Sequence, residues 1–164
     1  MNTLYLIRHA KSDWAIEGIR DIDRPLNPRG YSDAQKMALA LKDKKVSPGL
    51  IITSPAIRAI STALIFSRIL NYDPSKLLID KNLYDSTVKH YGNSIAHTDK
   101  KIKCVLLFGH NPVITQFANS LTASFAEEMP TCCIVGIKSK SDSWNFSTDK
   151  TNELSYYDYP KKQA

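Results

Sequence analysis

Residues 4–11 read Leu-Tyr-Leu-Ile-Arg-His-Ala-Lys, an apolar run that ends abruptly in Arg8 and His9. A short run of this kind predicts a buried strand with two polar side chains at its end. A neutral imidazole is a competent nucleophile toward phosphorus, and a neighbouring guanidinium can neutralise phosphoryl oxygens while opposing protonation of the ring. The pair therefore indicates phosphate chemistry, but a dipeptide is a weak motif and the rest of the chain must support it.

Strand and helix patterns alternate along the rest of the chain. A long polar loop over Ser12–Arg29 follows the first strand, and Asn27-Pro28 is typical of a helix N-cap followed by proline at the first helical position. The same signal is expected at Ser54-Pro55 and at Asn111-Pro112. The predicted helices cover Pro28 to about Lys44, Ala56–Leu70, about Tyr84–His97 and Val113 to about Ala123. The predicted strands after the first are Leu50–Thr53, Leu77–Ile79, Cys104–Phe108, Cys132–Lys138 and Ser143–Ser147. A turn over Ser139–Asp142 joins the last two strands. This order predicts an α/β three-layer sandwich with a mostly parallel central sheet.

Four polar side chains follow the carboxyl ends of three predicted strands. Arg8 and His9 end the first, Arg58 lies in the first turn after the second, and His110 follows Cys104–Phe108. In such sheets, ligands bind beyond the carboxyl ends of the strands, where helix N-termini present free N–H groups. We therefore expect two arginines and two histidines to converge on one anion-sized pocket.

Composition limits the possible partners. The chain has 164 residues and a formal charge of +6, which suits one domain and favours anionic ligands. Its lysines are scattered without interleaved aromatics, which argues against a nucleic-acid-binding domain. No apolar run approaches the roughly 20 residues that span a bilayer. The three cysteines, Cys104, Cys132 and Cys133, lie in apolar stretches and indicate reduced core residues of a cytoplasmic protein.

Four segments together resemble the histidine phosphatase superfamily, which has the phosphoglycerate mutase-like fold, and in particular its small SixA-type phosphohistidine phosphatases. The segments occur in the order found in that family and span about two thirds of the chain; they are residues 6–14 (LIRHAKSDW), 23–30 (DRPLNPRG), 53–63 (TSPAIRAISTA) and 108–112 (FGHNP). The resemblance implies that His9 takes the phosphoryl group while Arg8, Arg58 and His110 bind its oxygens.

Two further residues are candidates for the site. Ser12, in the loop after the first strand, could add a hydroxyl contact to the phosphoryl group or cap the local backbone. Many superfamily members use an acidic residue to protonate the leaving group, and Asp85 is the best-placed candidate, with helix capping as the alternative role. No metal or other cofactor is expected. His90 and His97 are seven residues apart on a predicted helix, too far to share one ion.

The resulting hypothesis is a metal-independent phosphatase with a phosphohistidine intermediate on His9, acting on phosphohistidine in proteins. The short chain leaves no obvious room for a large lid, so we expect an open site. The loop over Ser12–Arg29, with Trp14, Ile16 and Ile19, either forms part of its rim and contacts a partner or packs onto the domain. A small-molecule phosphomonoesterase, a phosphoglycerate-type mutase and a non-catalytic phosphoprotein-binding module remain alternatives. The protein is expected to be a monomer that binds neither nucleic acid nor membrane.

Overall fold

The structure, a computed structural model, describes residues 1–163. Its sheet has six strands in the order β3-β2-β4-β1-β5-β6. The strands are β1 (Asn2–Arg8), β2 (Leu50–Thr53), β3 (Leu78–Ile79), β4 (Cys104–Gly109), β5 (Ile134–Ser139) and β6 (Glu153–Asp158). Pairs among β1 to β4 are parallel, whereas β5 pairs antiparallel with β1 and β6. The predicted mostly parallel sheet is therefore confirmed.

Helices cover both faces of the sheet, as expected for a three-layer sandwich. They are α1 (Pro28–Asp43), α2 (Ile57–Ile69), α3 (Val88–Ala96) and α4 (Val113–Leu121). Apolar residues of α1 and α2 share one core cluster with Leu106 and Phe108, and those of α3 and α4 share the other with Val105 and Leu107. Alternate residues of β4 thus enter opposite layers, because successive strand side chains point to opposite faces.

The first helix begins as predicted. The Asn27 side chain accepts a hydrogen bond of 2.8 Å from the Gly30 amide, and Pro28 occupies the first turn. Gly30 also lets the loop after β1 pack closely, because a Cβ at this position would overlap the carbonyl oxygen of Lys11. The cap and the missing side chain together bring the start of α1 against the segment that follows His9.

The other two predicted caps are wrong. Helix α2 begins at Ile57 after Ala56, and α4 begins after Pro112, neither with a side-chain cap. The Ser54 hydroxyl instead accepts from the backbone amide of Ala56 at 3.2 Å and contacts His110, while the side-chain amide of Asn111 donates to the Met129 carbonyl. These side chains are used in tertiary contacts that local sequence does not reveal.

Two element boundaries also differ from the prediction. The third helix spans Val88–Ala96 and is capped by Thr87, so Tyr84 and Asp85 lie in the preceding loop rather than on a helix. The final strand is Glu153–Asp158, not Ser143–Ser147. Residues 143–147 do not join the sheet. Trp144 in this segment turns into the core, is 2% exposed, and donates its indole N–H to the Ile102 carbonyl.

The cysteines lie largely in the interior. Cys132 and Cys133 are fully buried in opposite core clusters, and Cys104 is half-buried. All three are unpaired thiols. Among the residues that the structure describes, no helix is both long and apolar enough to cross a membrane.

Candidate active site

His9 lies where β1 ends, at the carboxyl edge shared by the parallel strands. Its amide donates to the Gly109 carbonyl at 3.1 Å, which ties the end of β1 to the end of β4. The His9 Nδ1 atom is 2.7 Å from the carbonyl oxygen of Ala10. A carbonyl can only accept, so Nδ1 carries the proton and the lone pair remains on Nε2.

The surroundings of His9 keep its ring neutral. Its pKa is lowered well below the usual range, first by burial and then by His110, Arg58 and Arg8. Only 7% of the residue is exposed. The bond to Ala10 opposes this shift but is outweighed. A neutral ring with a free Nε2 lone pair is the form in which histidine acts as a nucleophile.

His110 faces His9 with a ring-centroid separation of 5.2 Å. Its Nε2 atom lies 2.6 Å from the Ser54 hydroxyl, and burial, followed by the charge of Arg58, lowers its pKa to about 3. When the Ser54 hydroxyl donates to Nε2, the neutral ring carries its proton on Nδ1. That nitrogen is buried and has no hydrogen-bond partner among the described residues, while the side chain as a whole lines the cavity that contains His9.

The two predicted arginines both reach the site. Arg8 donates through Nη1 to the Met129 carbonyl at 3.0 Å. Arg58, 6% exposed, donates through Nη1 to the Asp21 carbonyl at 2.7 Å and through Nη2 to the Asp21 carboxylate at 3.0 Å. The Nε atoms of both arginines are buried and unpaired. The convergence predicted for Arg8, His9, Arg58 and His110 is present, because all four residues line one cavity.

Asp21 is the main feature that sequence reasoning missed. Its carboxylate accepts hydrogen bonds from the Tyr84 hydroxyl at 2.6 Å and from Arg24 Nε at 3.1 Å, in addition to Arg58. The bond from Tyr84 first, and those from Arg24 and Arg58 next, lower the pKa of Asp21. The only local signal was the dense charge pattern of residues 20–24, Arg-Asp-Ile-Asp-Arg.

Ser12 is buried in the wall of the site. Its hydroxyl accepts a hydrogen bond from Arg24 Nη1 at 2.5 Å, and the Arg24 guanidinium lies 3.5 Å from the ring centroid of Trp14. Ser12 therefore has a definite structural partner in Arg24 while still lining the cavity that holds His9. Trp14 itself is 73% exposed and lines the same cavity, which agrees with a rim position, the first of the two roles considered for its loop.

Two cavities adjoin at this edge of the sheet. The first, of about 260 Å³, contains His9 and is lined by Arg8, Lys11, Ser12, Trp14, Asp21, Arg24, Arg58, His110, Asn111 and Thr131. The second, of about 340 Å³, is lined by Asp21, Arg58, Leu83, Tyr84, Asp85, Ser86, Tyr91, His110, Asn111, Pro112 and Val113. They share Asp21, Arg58, His110 and Asn111. These four shared residues form the boundary between the cavities.

Asp85 lines the second cavity but not the one that contains His9. It is exposed, and its backbone adopts a left-handed conformation with a φ of 53°. His90 and His97 are both exposed. Among the described residues, no three His, Cys, Asp or Glu side chains form a group that could hold a metal ion.

Comparisons with known proteins agree with this geometry. The structure superposes with a TM-score of 0.82 on a protein from Agrobacterium tumefaciens assigned as the phosphohistidine phosphatase SixA, at 26% identity over 97% of this chain and 98% of that one. It also superposes with a TM-score of 0.82 on a structure of the protein histidine phosphatase SixA complexed with tungstate, at 21% identity over 99% of both chains. At this level of identity the similarity shows the fold alone.

One relative is more similar over a shorter region. A Hydrogenobacter thermophilus protein assigned as a phosphoserine phosphatase is 36% identical over 93 residues, which is 56% of this chain and 43% of that protein. The profile of the histidine phosphatase superfamily (branch 1) matches residues 4–92, more than half of the chain, including Arg8, His9 and Arg58. The chain therefore belongs to the histidine phosphatase superfamily, and its fold is of the SixA type.

Proposed function

We propose that this protein is a phosphatase that transfers a phosphoryl group to His9 and then to water, with phosphohistidine in proteins as its substrate. The observation that carries the proposal is the state of His9. Its ring is buried and neutral, and the Nδ1 proton is held by Ala10, so the Nε2 lone pair is available beside Arg8 and Arg58. This arrangement combines a nucleophile with donors for the transferred group.

The reaction has two displacements. In the first, the lone pair of His9 Nε2 forms a bond to phosphorus as the bond to the leaving nitrogen breaks, and the electron pair of that bond remains on the leaving nitrogen. When the other ring nitrogen of the substrate carries a proton, the leaving group departs as neutral imidazole. In the second, the oxygen of a water molecule forms a bond to phosphorus as the bond to His9 Nε2 breaks. The electron pair of the broken bond returns to Nε2, and the protons of the water leave with the released phosphate.

The neighbouring side chains are placed to stabilise both displacements. Charge spreads over the three equatorial oxygens of the transferred group, and guanidinium groups supply several donors in a fixed geometry. We assign this role to Arg8 and Arg58, with His110 contributing from the wall of the same cavity. Ser12 acts through Arg24, whose guanidinium it holds at the wall of the cavity. These groups are already in place before the substrate binds, so little reorganisation is needed.

Two observations support phosphohistidine as the substrate class. Among the described residues that line the cavity with His9, only Asp21 carries a carboxyl group. It is held by Arg24 and Arg58, and its low pKa keeps it deprotonated. An alkoxide leaving group needs a proton donor, whereas protonated phosphohistidine does not. The SixA-named structures share this fold over nearly the whole chain.

A small phosphate ester is the second candidate substrate. Asp85 lies in the adjoining cavity, and a shift of this loop residue toward His9 would supply the missing acid. The relative assigned as a phosphoserine phosphatase favours the same substrate class. Hydrolysis of serine phosphate at a rate comparable to that of phosphohistidine would establish this alternative.

The test is phosphate release from a phosphohistidine-bearing protein in the presence of chelator, compared with release from an aryl phosphate. His9→Ala should lower turnover by about a thousandfold or more, because it removes the nucleophile. His90→Ala, which changes an exposed histidine on α3, is the matched control and should retain activity. Mass spectrometry of a briefly quenched reaction should find phosphate on His9.

Two results would contradict the proposal. Substantial turnover by His9→Ala would exclude His9 as the nucleophile. Tight binding of phosphorylated proteins by the unaltered chain, with no phosphate released from any substrate, would identify a non-catalytic binding module instead.

A further inference from the structure

The two adjoining cavities differ in charge. Four cationic side chains, Arg8, Lys11, Arg24 and Arg58, face a single carboxylate, Asp21, in the cavity that contains His9. Of the described residues that line the second cavity, Arg58 is the only cation, and both Asp21 and Asp85 are present. A phosphoryl group is favoured in the first cavity, and an anionic group is disfavoured in the second.

The two acidic residues of the second cavity, Asp21 and Asp85, differ in their ion-pair partners. Asp21 is held by the guanidinium groups of Arg24 and Arg58. Within residues 1–163, by contrast, no hydrogen bond or ion pair involves the Asp85 carboxylate. Its negative charge is therefore available to whatever enters the cavity.

The remaining walls suit a flat ring. Tyr84 lies edge-on to His110 with a centroid separation of 5.6 Å, and Leu83, Tyr91 and Val113 add apolar surface. Because His110 and Arg58 border both cavities, a ring bound here is adjacent to the groups that hold the phosphoryl oxygens. A volume of about 340 Å³ leaves room for the ring and part of the chain that carries it.

We infer that the second cavity is a subsite for the leaving group, and that Asp85 makes it select a cationic imidazole ring and basic flanking residues over acidic ones. The inference rests on the proposed function and deepens it. An imidazolium ring attached to phosphorus is also the form that departs as neutral imidazole, so a carboxylate beside it favours the reactive protonation state. Asp85 acts here as a specificity determinant through its charge and need not transfer a proton.

The test uses two phosphohistidine peptides of the same sequence, flanked by lysine in one and by glutamate in the other. The leaving group is the same, so a difference in kcat/KM reports charge selection alone. The intact protein should prefer the lysine peptide by about fivefold, the effect of unit charges several ångströms apart in a solvated site. The preference should weaken in about 0.5 M salt, because exposed charges are screened.

Asp85→Asn should abolish this preference while leaving the protein folded, because asparagine tolerates the left-handed backbone that Asp85 adopts. Glu153→Gln is the matched control. This substitution also removes one exposed carboxylate. Glu153 on β6 lies opposite Lys138 on β5, at the end of the sheet away from His9, so the preference should remain.

Each alternative outcome has a distinct meaning. If the intact protein hydrolyses both peptides equally, or if Asp85→Asn keeps the preference, the subsite inference is wrong while the phosphatase proposal stands. If Asp85→Asn lowers kcat equally for both peptides with an unchanged preference, Asp85 transfers a proton and the charge-selection inference is overturned. If the intact protein hydrolyses neither peptide and no phosphate is found on His9, the proposed function itself fails.

Discussion

The two histidines of the site should make the free energy of unfolding strongly dependent on pH. The pKa of His110 is about 3 in the folded protein, against about 6.5 for a histidine in an unfolded chain. Below about pH 6.5 the unfolded chain binds a proton that folded His110 does not, so acidification favours unfolding. The stabilising contribution is fully present above pH 6.5 and is lost as the pH falls toward 3.

The magnitude follows from these two pKa values. Between about pH 8 and pH 4.5, His110 alone should remove about 2.7 kcal/mol from the free energy of unfolding. His9, whose pKa is also lowered by burial, acts in the same direction. This loss is large for a domain whose total stability is about 5–15 kcal/mol. Carboxylates with ordinary pKa values also titrate in the lower part of this range, so the contribution of His110 is read from the difference between the intact protein and a His110 variant.

The assay is urea denaturation of the intact protein and of His110→Gln over this pH range. The loss of stability on acidification should be smaller in the variant by about 2.7 kcal/mol, whatever its absolute stability at neutral pH. His90→Gln, which alters an exposed histidine, should retain the pH dependence of the intact protein. If His110→Gln lost as much stability as the intact protein, His110 would not be held neutral by its surroundings and the reasoning would be refuted.

Two further substitutions test the supporting framework of the site. Asp21→Asn should lower kcat about tenfold, because Arg58 loses its ionic partner. It should not weaken the binding of inorganic phosphate, since the cleft gains one net positive charge. Steady-state kinetics and calorimetry would measure the two effects, and an unchanged kcat would exclude a positioning role for Asp21. Gly30→Ala should destabilise the fold by about 2 kcal/mol or more, because the new methyl group overlaps the Lys11 carbonyl oxygen. Thermal and urea denaturation would measure this loss, and an unaltered midpoint would show that the loop moves aside freely.

The four central residues of the site were predictable because each follows a strand directly. Arg8 and His9 end β1, Arg58 lies in the first turn of α2, and His110 follows β4. Parallel strands bring their carboxyl ends to one edge, so strand order along the chain was enough to bring these residues together. Local apolar runs located the strands correctly, apart from the last one.

The supporting residues could not be predicted in the same way. Asp21 lies in a loop, and nothing in its neighbourhood shows that it meets Tyr84, 63 positions along the chain. Ser54 carried a helix-cap signal, but its hydroxyl binds His110 instead. Asp85 was predicted near a helix start and lies in a loop, on the wall of a separate cavity. The single-domain organisation, monomeric state and cytoplasmic location stay predictions.

Apolar periodicity and strand-end position are local properties, so they were enough to predict the layered α/β architecture and the residues at the carboxyl edge of the sheet. The protonation states of the two histidines and the division of the cleft into two cavities follow instead from the three-dimensional packing. Both depend on burial and on contacts between distant segments: burial, with nearby Arg58, keeps His9 and His110 neutral, and Asp21 sits at the boundary between the cavities. Charge selection at Asp85 is a consequence of that division.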